Sequence, residues 1–174
     1  MRKNHSMLLR FIASAVLAAV LLTSCAGGAT TYEKQMELGR KYLTEMNYAE
    51  AIAAFTEAIK LNPDDIEAYM ARAEAYAALK KYDEATADYT AVIEKTNDQP
   101  YLQATAYIGR AGVSESTAAI TDAESDYTAA LAQLEKDTDE QDADAVLTLK
   151  KDVLAKHAAV CVTLALLEKA ADDY

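Results

Sequence analysis

The chain repeats itself, and that limits what it can fold into more than any other feature. Residues 32–65 carry Leu38, Gly39, Tyr42, Ala51, Phe55, Ala58 and Pro63 at fixed spacings. Thirty-four residues on, Arg72, Ala73, Tyr76, Ala85, Tyr89 and Val92 stand in the same places, within 66–99. Thirty-eight further on, Arg110, Ala111, Ser114, Ala123, Tyr127 and Ala130 do so again, within 104–137. Self-similarity at such a period means a stack of like supersecondary units, each too small to bury its apolar face alone. Inside the first unit, Leu38, Tyr42 and Met46 share one helical face, and Ala51, Phe55 and Ala58 share another, widened by Ile52 and Ile59. The unit is therefore expected to be two short helices, over about 33–45 and 48–61. Pro63 cannot extend the second helix.

The joints between helices are also readable. Asn47 is the expected left-handed residue at the first turn. Asp64, followed by Glu67, suits the start of the third helix as a capping-box variant. Lys80 and Lys81 lie at the negative end of one helix, and Asp83 and Glu84 at the positive end of the next. The third turn is expected near Ser114, Glu115 and Ser116, after four residues inserted around 97–100. Gly109 and Gly112 are expected to weaken their helix by up to about 1 kcal/mol each relative to Ala. With five Gly, two Pro and abundant Ala, the composition favours helix throughout.

These spacings resemble the tetratricopeptide repeat, W-x2-L-G-x2-Y, then A-x3-F, then P. Gln35 stands where Trp is usual, Arg72 and Arg110 replace Leu, and Asn97 replaces Pro. The resemblance implies an all-α, right-handed superhelical solenoid of about three repeats, 32–65, 66–99 and 104–137. Residues 138–174 are then a C-terminal helical cap or a degenerate fourth repeat. In the second case Ala170 and Tyr174 serve as A-x3-F, and Leu154, His157, Ala158 and Cys161 take the first-helix sites. A stack exposes its last apolar face, so some cap is required.

The first residues read as an export signal. Arg2, Lys3 and Arg10 precede an apolar run, Phe11 to Leu22, broken only by Ser14. That run is short for a spanning helix and suits a signal-peptide core. Leu22-Thr23-Ser24-Cys25 resembles a bacterial lipoprotein box, which implies cleavage after residue 24 and a diacylglyceryl group on the Cys25 thiol. An ordinary secretory signal is the alternative. Residues 25–31 then form a flexible tether. The expected location is the extracytoplasmic face of a bacterial cell membrane or outer membrane.

The net charge of −11 repels nucleic acid and anionic headgroups. Loss of residues 1–24 removes three cations and no acid, which deepens it. In this repeat family the first helices line a concave groove. The positions carried over are Glu33, Met36, Arg40 and Leu43, then Glu67, Met70, Glu74 and Ala77, then Thr105, Ile108, Gly112 and Glu115. Chaperone-binding members clamp a C-terminal carboxylate there with Lys and Asn. Here Met36 and Met70 occupy the places where a clamp Lys could sit. The expected partner is a protein or peptide segment with apolar and basic residues, unless both Met side chains merely pack between helices.

Chemistry-bearing constellations are few. His157 and Cys161 are four apart and share a helix face. They suggest a thiol–imidazole pair or half a zinc site, but also fit core positions of a degenerate repeat, and packing is the expected role. The acidic run Asp137, Asp139, Gln141 and Asp142 lacks the Gly and Glu of a calcium loop. No phosphate loop or nucleophile elbow is present. No catalytic, cofactor or metal residues are therefore assigned. The expected function is a membrane-anchored interaction scaffold or assembly factor of the cell envelope. A self-associating structural protein is the alternative, and an enzyme or a sensor using His157 and Cys161 a more distant one.

Overall fold

The computed structural model describes residues 31–136 and 143–172. Among them are seven helices and no strand. Helix α1 covers 31–44. It is followed by α2 (Tyr48–Leu61), α3 (Ile66–Ala78), α4 (Tyr82–Lys95), α5 (Pro100–Ser116), α6 (Ile120–Lys136) and α7 (Ala143–Asp172). The signal segment, Cys25 and most of the tether lie outside the described residues, as does the acidic run 137–142.

Three core clusters follow one another along the chain. The first packs Met36 of α1 and Ala68 of α3 around Ala51, Phe55 and Ala58 of α2. The second packs Ala73 of α3 and Ala106 of α5 around Ala85, Tyr89 and Val92 of α4. The third joins Ala104 and Ala111 of α5 to Ala123, Tyr127, Ala130 and Leu134 of α6, and to Val153 and Val160 of α7. Each cluster thus needs the first helix of the next unit, which is why one unit alone would not be stable.

Small residues set the helix separations. A Cβ built on Gly39 would lie 2.5 Å from the Phe55 ring, and one on Gly109 would lie 2.4 Å from the Tyr89 ring. Gly109 is thus a contact surface for the preceding unit. The sequence expectation that it merely weakens α5 is corrected by that contact. Gly112 has no neighbour within 4 Å of such a Cβ, so the propensity argument stands there.

The three turns inside units are built alike. Met46, Lys80 and Ala118 each have φ of 59°, and they occupy one repeat position. After each, the amide of the following residue donates back five residues, Asn47 to Tyr42 (2.8 Å), Lys81 to Tyr76 (2.9 Å) and Ala119 to Ser114 (2.8 Å). This is the Schellman arrangement, whose left-handed residue is usually Gly. Asn47 was expected in that role, but its φ is −85° and Met46 takes it. The third turn falls at 117–119, because α5 continues through Ser116. Asp65, one residue later than expected, caps α3 by accepting from the Glu67 amide at 3.2 Å. Asp64 instead pairs with Lys95 at 3.0 Å.

The inserted residues lengthen α5 at its start, where Pro100 needs no hydrogen-bond partner. Buried Gln103 fixes the segment by donating to the Ile93 carbonyl at 2.9 Å and to Asn97 at 3.2 Å. Helix α7 is one unbroken helix antiparallel to α6. Lys150 meets Glu135 near one end of the contact and His157 meets Glu124 toward the other.

The two glycines of α5 should respond oppositely to one substitution. Gly112→Ala should raise unfolding free energy by up to about 1 kcal/mol. Gly109→Ala should lower it by about 1–3 kcal/mol, because the Tyr89 ring must move. Denaturant midpoints of the two variants, compared with the parent, check the pair. A gain for Gly109→Ala would refute the close-contact account.

Candidate functional site

The first helices of neighbouring units meet along one face. There Arg40 of α1 donates to Glu67 of α3 from both Nε (2.9 Å) and Nη2 (2.6 Å), with both side chains more than half exposed. Further along, α3 and α5 border an open groove of about 640 Å³. Ile66, Met70 and Leu102 supply its apolar floor, while Asp64, Asp65 and Glu67 supply its acidic rim. Tyr32 reaches from α1 to donate to the Asp65 carboxylate. Its phenol is pushed up to about 12 by burial and by that carboxylate.

The anticipated groove residues divide in two. Glu33, Arg40, Glu67 and Glu74 are exposed on the first helices, and Met70 is half-buried in the groove. Met36, in contrast, is 2 % exposed and sits in the core beside Phe55. It therefore does the packing job that was the alternative for both methionines, and offers no ligand surface. Leu43 and Ile108 pack partly against core clusters. Glu115 accepts from the Tyr127 hydroxyl at 2.6 Å and is tied to its own unit. Sequence reasoning did not mark Ile66, Gln99 and Leu102. Ile66 opens α3, and Gln99 and Leu102 lie at the start of α5, where the insertion adds residues.

Glu74 is the charged residue on this face with a strained ionisation. Its end reaches solvent, yet surrounding protein removes enough water to raise its carboxyl above the ordinary value. Its charge is also felt by the buried Tyr89 phenol. A cationic group arriving beside Glu74 would relieve that cost.

Between units lies a polar joint that the repeat pattern did not predict. Arg72 forks onto Asp88 through Nε and Nη2, both at 2.8 Å, and its Nη1 donates to Thr56 of the preceding unit at 3.1 Å. Arg110 does the same to Asp126 at 2.9 and 2.7 Å, and to Thr90 at 3.0 Å. The guanidinium carbons lie 5.6 Å from the Tyr69 ring centre and 5.5 Å from that of Tyr107. The first unit has apolar residues, Leu38 and Ala54, at the matching positions. The departure from Leu is thus compensated inside its own unit. Two Arg–Asp pairs sixteen residues apart were the available signal.

His157 occupies the equivalent position on α7, and its Nε2 lies 3.2 Å from Thr128, the equivalent threonine. Helix α7 therefore docks as a fourth first-helix would. The continuous helix to Asp172 leaves no second helix of that unit among the described residues. Leu147, Leu154, Val162, Leu166 and Leu167 remain exposed on it.

The helix pairs, their period and their small-residue contacts make this a tetratricopeptide-repeat superhelix. Residues 36–100 match the tetratricopeptide repeat family. A 65-residue stretch is 38 % identical to Hsp70-Hsp90 organizing protein 3 of Arabidopsis thaliana, covering 37 % of this chain and 12 % of that protein. An 85-residue stretch is 35 % identical to Superkiller complex protein 3 of Homo sapiens, covering 49 % of this chain and 5 % of that one. This chain thus spans a small part of either relative. Among solved structures, the TPR2B domain of yeast Sti1 in its pHsp70 complex superposes with a TM-score of 0.58 and 27 % identity, over 73 % of this chain and 98 % of that one. The first TPR of Spaghetti (RPAP3), bound to the HSP90 peptide SRMEEVD, gives a TM-score of 0.62 over 78 % and 94 %; at 20 % identity it shows the fold alone.

The first unit suggests a test of the polar joint. Asp88→Ala leaves the Arg72 charge buried without its partner and should cost about 3–5 kcal/mol of unfolding free energy. Adding Arg72→Leu, which copies Leu38 and Ala54, should recover most of that loss. A double variant no more stable than the single one would refute the equivalence of the two joints.

Proposed function

We propose that this chain is an exported, lipid-anchored scaffold of the bacterial cell envelope that binds a peptide segment along its first helices. The observation that carries the binding half is the groove between α3 and α5, an apolar floor under an acidic rim. Such a surface suits a segment that places an apolar side chain against Met70 and Leu102 and a basic one near Glu67 or Glu74. Methionine adapts to varied apolar contacts. The chain resembles peptide-binding tetratricopeptide domains in fold, yet its rim charge is opposite to what an acidic peptide tail needs. Arg40, an exposed cation of this face, is already engaged by Glu67. The anchoring half rests on the sequence around Cys25, since two acyl chains on one thiol-bearing residue give durable attachment where one gives marginal binding.

The exposed Val162, Leu166 and Leu167, at 60 %, 63 % and 55 %, favour a second reading in which the end of α7 mediates self-association. Sedimentation that stays monomeric across concentration would remove it.

One experiment covers both halves of the main proposal. Lipidated protein is compared with Cys25→Ser for membrane partition, and each is titrated with basic–apolar and acidic C-terminal peptides. Cys25→Ser should move to the soluble fraction with its helical content and peptide affinity intact. Met70→Glu should weaken the basic–apolar peptide by at least about tenfold, or 1.4 kcal/mol. Preference for acidic peptides, lost on Arg40→Ala, would overturn the groove assignment. Membrane retention of Cys25→Ser would overturn the anchor.

A further inference from the structure

We infer that Glu124, His157 and Cys161 form a zinc-binding site that staples α7 to α6. Their ligand atoms all lie within 4.8 Å of one another. His157 Nε2 is 3.4 Å from Glu124 Oε1 and 3.6 Å from Cys161 Sγ. In tetrahedral zinc, with bonds of about 2.0 Å to N and O and about 2.3 Å to S, neighbouring ligands stand about 3.3 Å (N to O) and about 3.5 Å (N to S) apart. The two separations from His157 Nε2, 3.4 and 3.6 Å, match those edges, and the Glu124 and Cys161 ligand atoms lie within 4.8 Å of each other.

The hydrogen-bonding chemistry points the same way. One imidazole nitrogen faces a carboxylate, a thiol and, at 3.2 Å, the Thr128 hydroxyl. It carries either one proton or one lone pair and so engages one of these neighbours fully, while Thr128 donates to Glu124 Oε1 at 3.3 Å and Cys161 faces solvent. A cation held by nitrogen, carboxylate and thiolate engages all three ligand atoms at once. The mixed N, O and S donor set suits zinc and excludes calcium and magnesium, which take oxygen. Zinc binding converts the Cys161 thiol to thiolate and releases its proton to solvent. Cys161 is exposed, so the ion has a route in and an open fourth position.

The three ligands are also departures from the repeat at one joint. Where the earlier units have Leu38, Arg72 and Arg110, α7 has His157; where they have Tyr42, Tyr76 and Ser114, it has Cys161; where the first two have Ile52 and Thr86, α6 has Glu124. The sequence shows only the His–Cys half, because Glu124 is 33 residues away from His157.

Co(II), a spectroscopic substitute for zinc, tests the site on the full-length chain carrying Cys25→Ser in mild detergent, so that Cys161 is its one thiol. One equivalent should bring up a thiolate-to-cobalt charge-transfer band together with the visible bands of a four-coordinate ion, and Zn(II) should displace both. Zn(II) should also raise the Tm. Cys161→Ser, on an exposed position that leaves the fold intact, should abolish the charge-transfer band. Glu124→Gln and His157→Gln should each weaken Zn(II) by at least about tenfold, with circular dichroism unchanged. Absence of a saturable one-to-one band would overturn the site. So would zinc affinity that survives Cys161→Ser unaltered.

Discussion

The whole stack depends on an aromatic ring lying where a helix has no side chain. Phe55 and Tyr89 hold one repeat position, and each covers a glycine, Gly39 within the first unit and Gly109 in the third. Each ring is 5 % exposed or less, and burying one contributes about 1.5–3 kcal/mol. A bulky residue beneath either ring would separate the helices and open the core. Tyr127 repeats the role against α5, where Ala111 is fully buried. Helix propensity is thus sacrificed at Gly39 and Gly109 because the contact returns more than the backbone entropy costs.

Apolar pegs fix how close the helices come, and the polar joints fix their register. An Arg that must reach its own unit's Asp and the previous unit's Thr tolerates no slide by a helical turn. The side chains of Asp88 and Asp126 are 8 % and 9 % exposed, so an unpaired carboxylate in either place would be strongly disfavoured. Such buried pairs add little net stability over well-packed apolar residues, and the first unit carries Leu38 and Ala54 in the same two places. Their advantage is specificity among nearly identical units, a problem that the first unit, with no described unit before it, does not face.

What was legible in the sequence follows from how far each signal reaches. Helix α2 and the helix pairs of the first two units were readable because their spacing is local and Pro63 ends the first unit. Turn conformations were less so. Backbone geometry at the repeat position forces Met46 into φ of 59°, while Asn47, the residue with the better intrinsic preference, sits one place too late. The α3 cap falls on Asp65, while Asp64 pairs with Lys95, 31 residues away. Met36 and Met70 look alike on the first-helix face, but α1 turns Met36 into the Phe55 cluster and leaves Met70 beside the groove. The turn is decided by a local backbone hydrogen bond from Asn47 to Tyr42, whereas the place of Met36 depends on long-range packing that no local pattern encodes.

Along the stack, one position records how the units diverge. It holds Leu38, then Arg72 and Arg110, then His157. The side chain passes from apolar, to charged and doubly satisfied, to a titratable ring that shares one nitrogen among three neighbours. The same series ends, among the described residues, on a helix with Val153 and Val160 buried on one face and Leu166 and Leu167 exposed. Each unit is completed by the next, and α7 is the last such first helix among the described residues. It is held over a long contact, since Val146, Leu149 and Leu164 all pack against the third cluster. Val162, Leu166 and Leu167 near its end stay exposed, and that is where apolar surface available to another molecule accumulates.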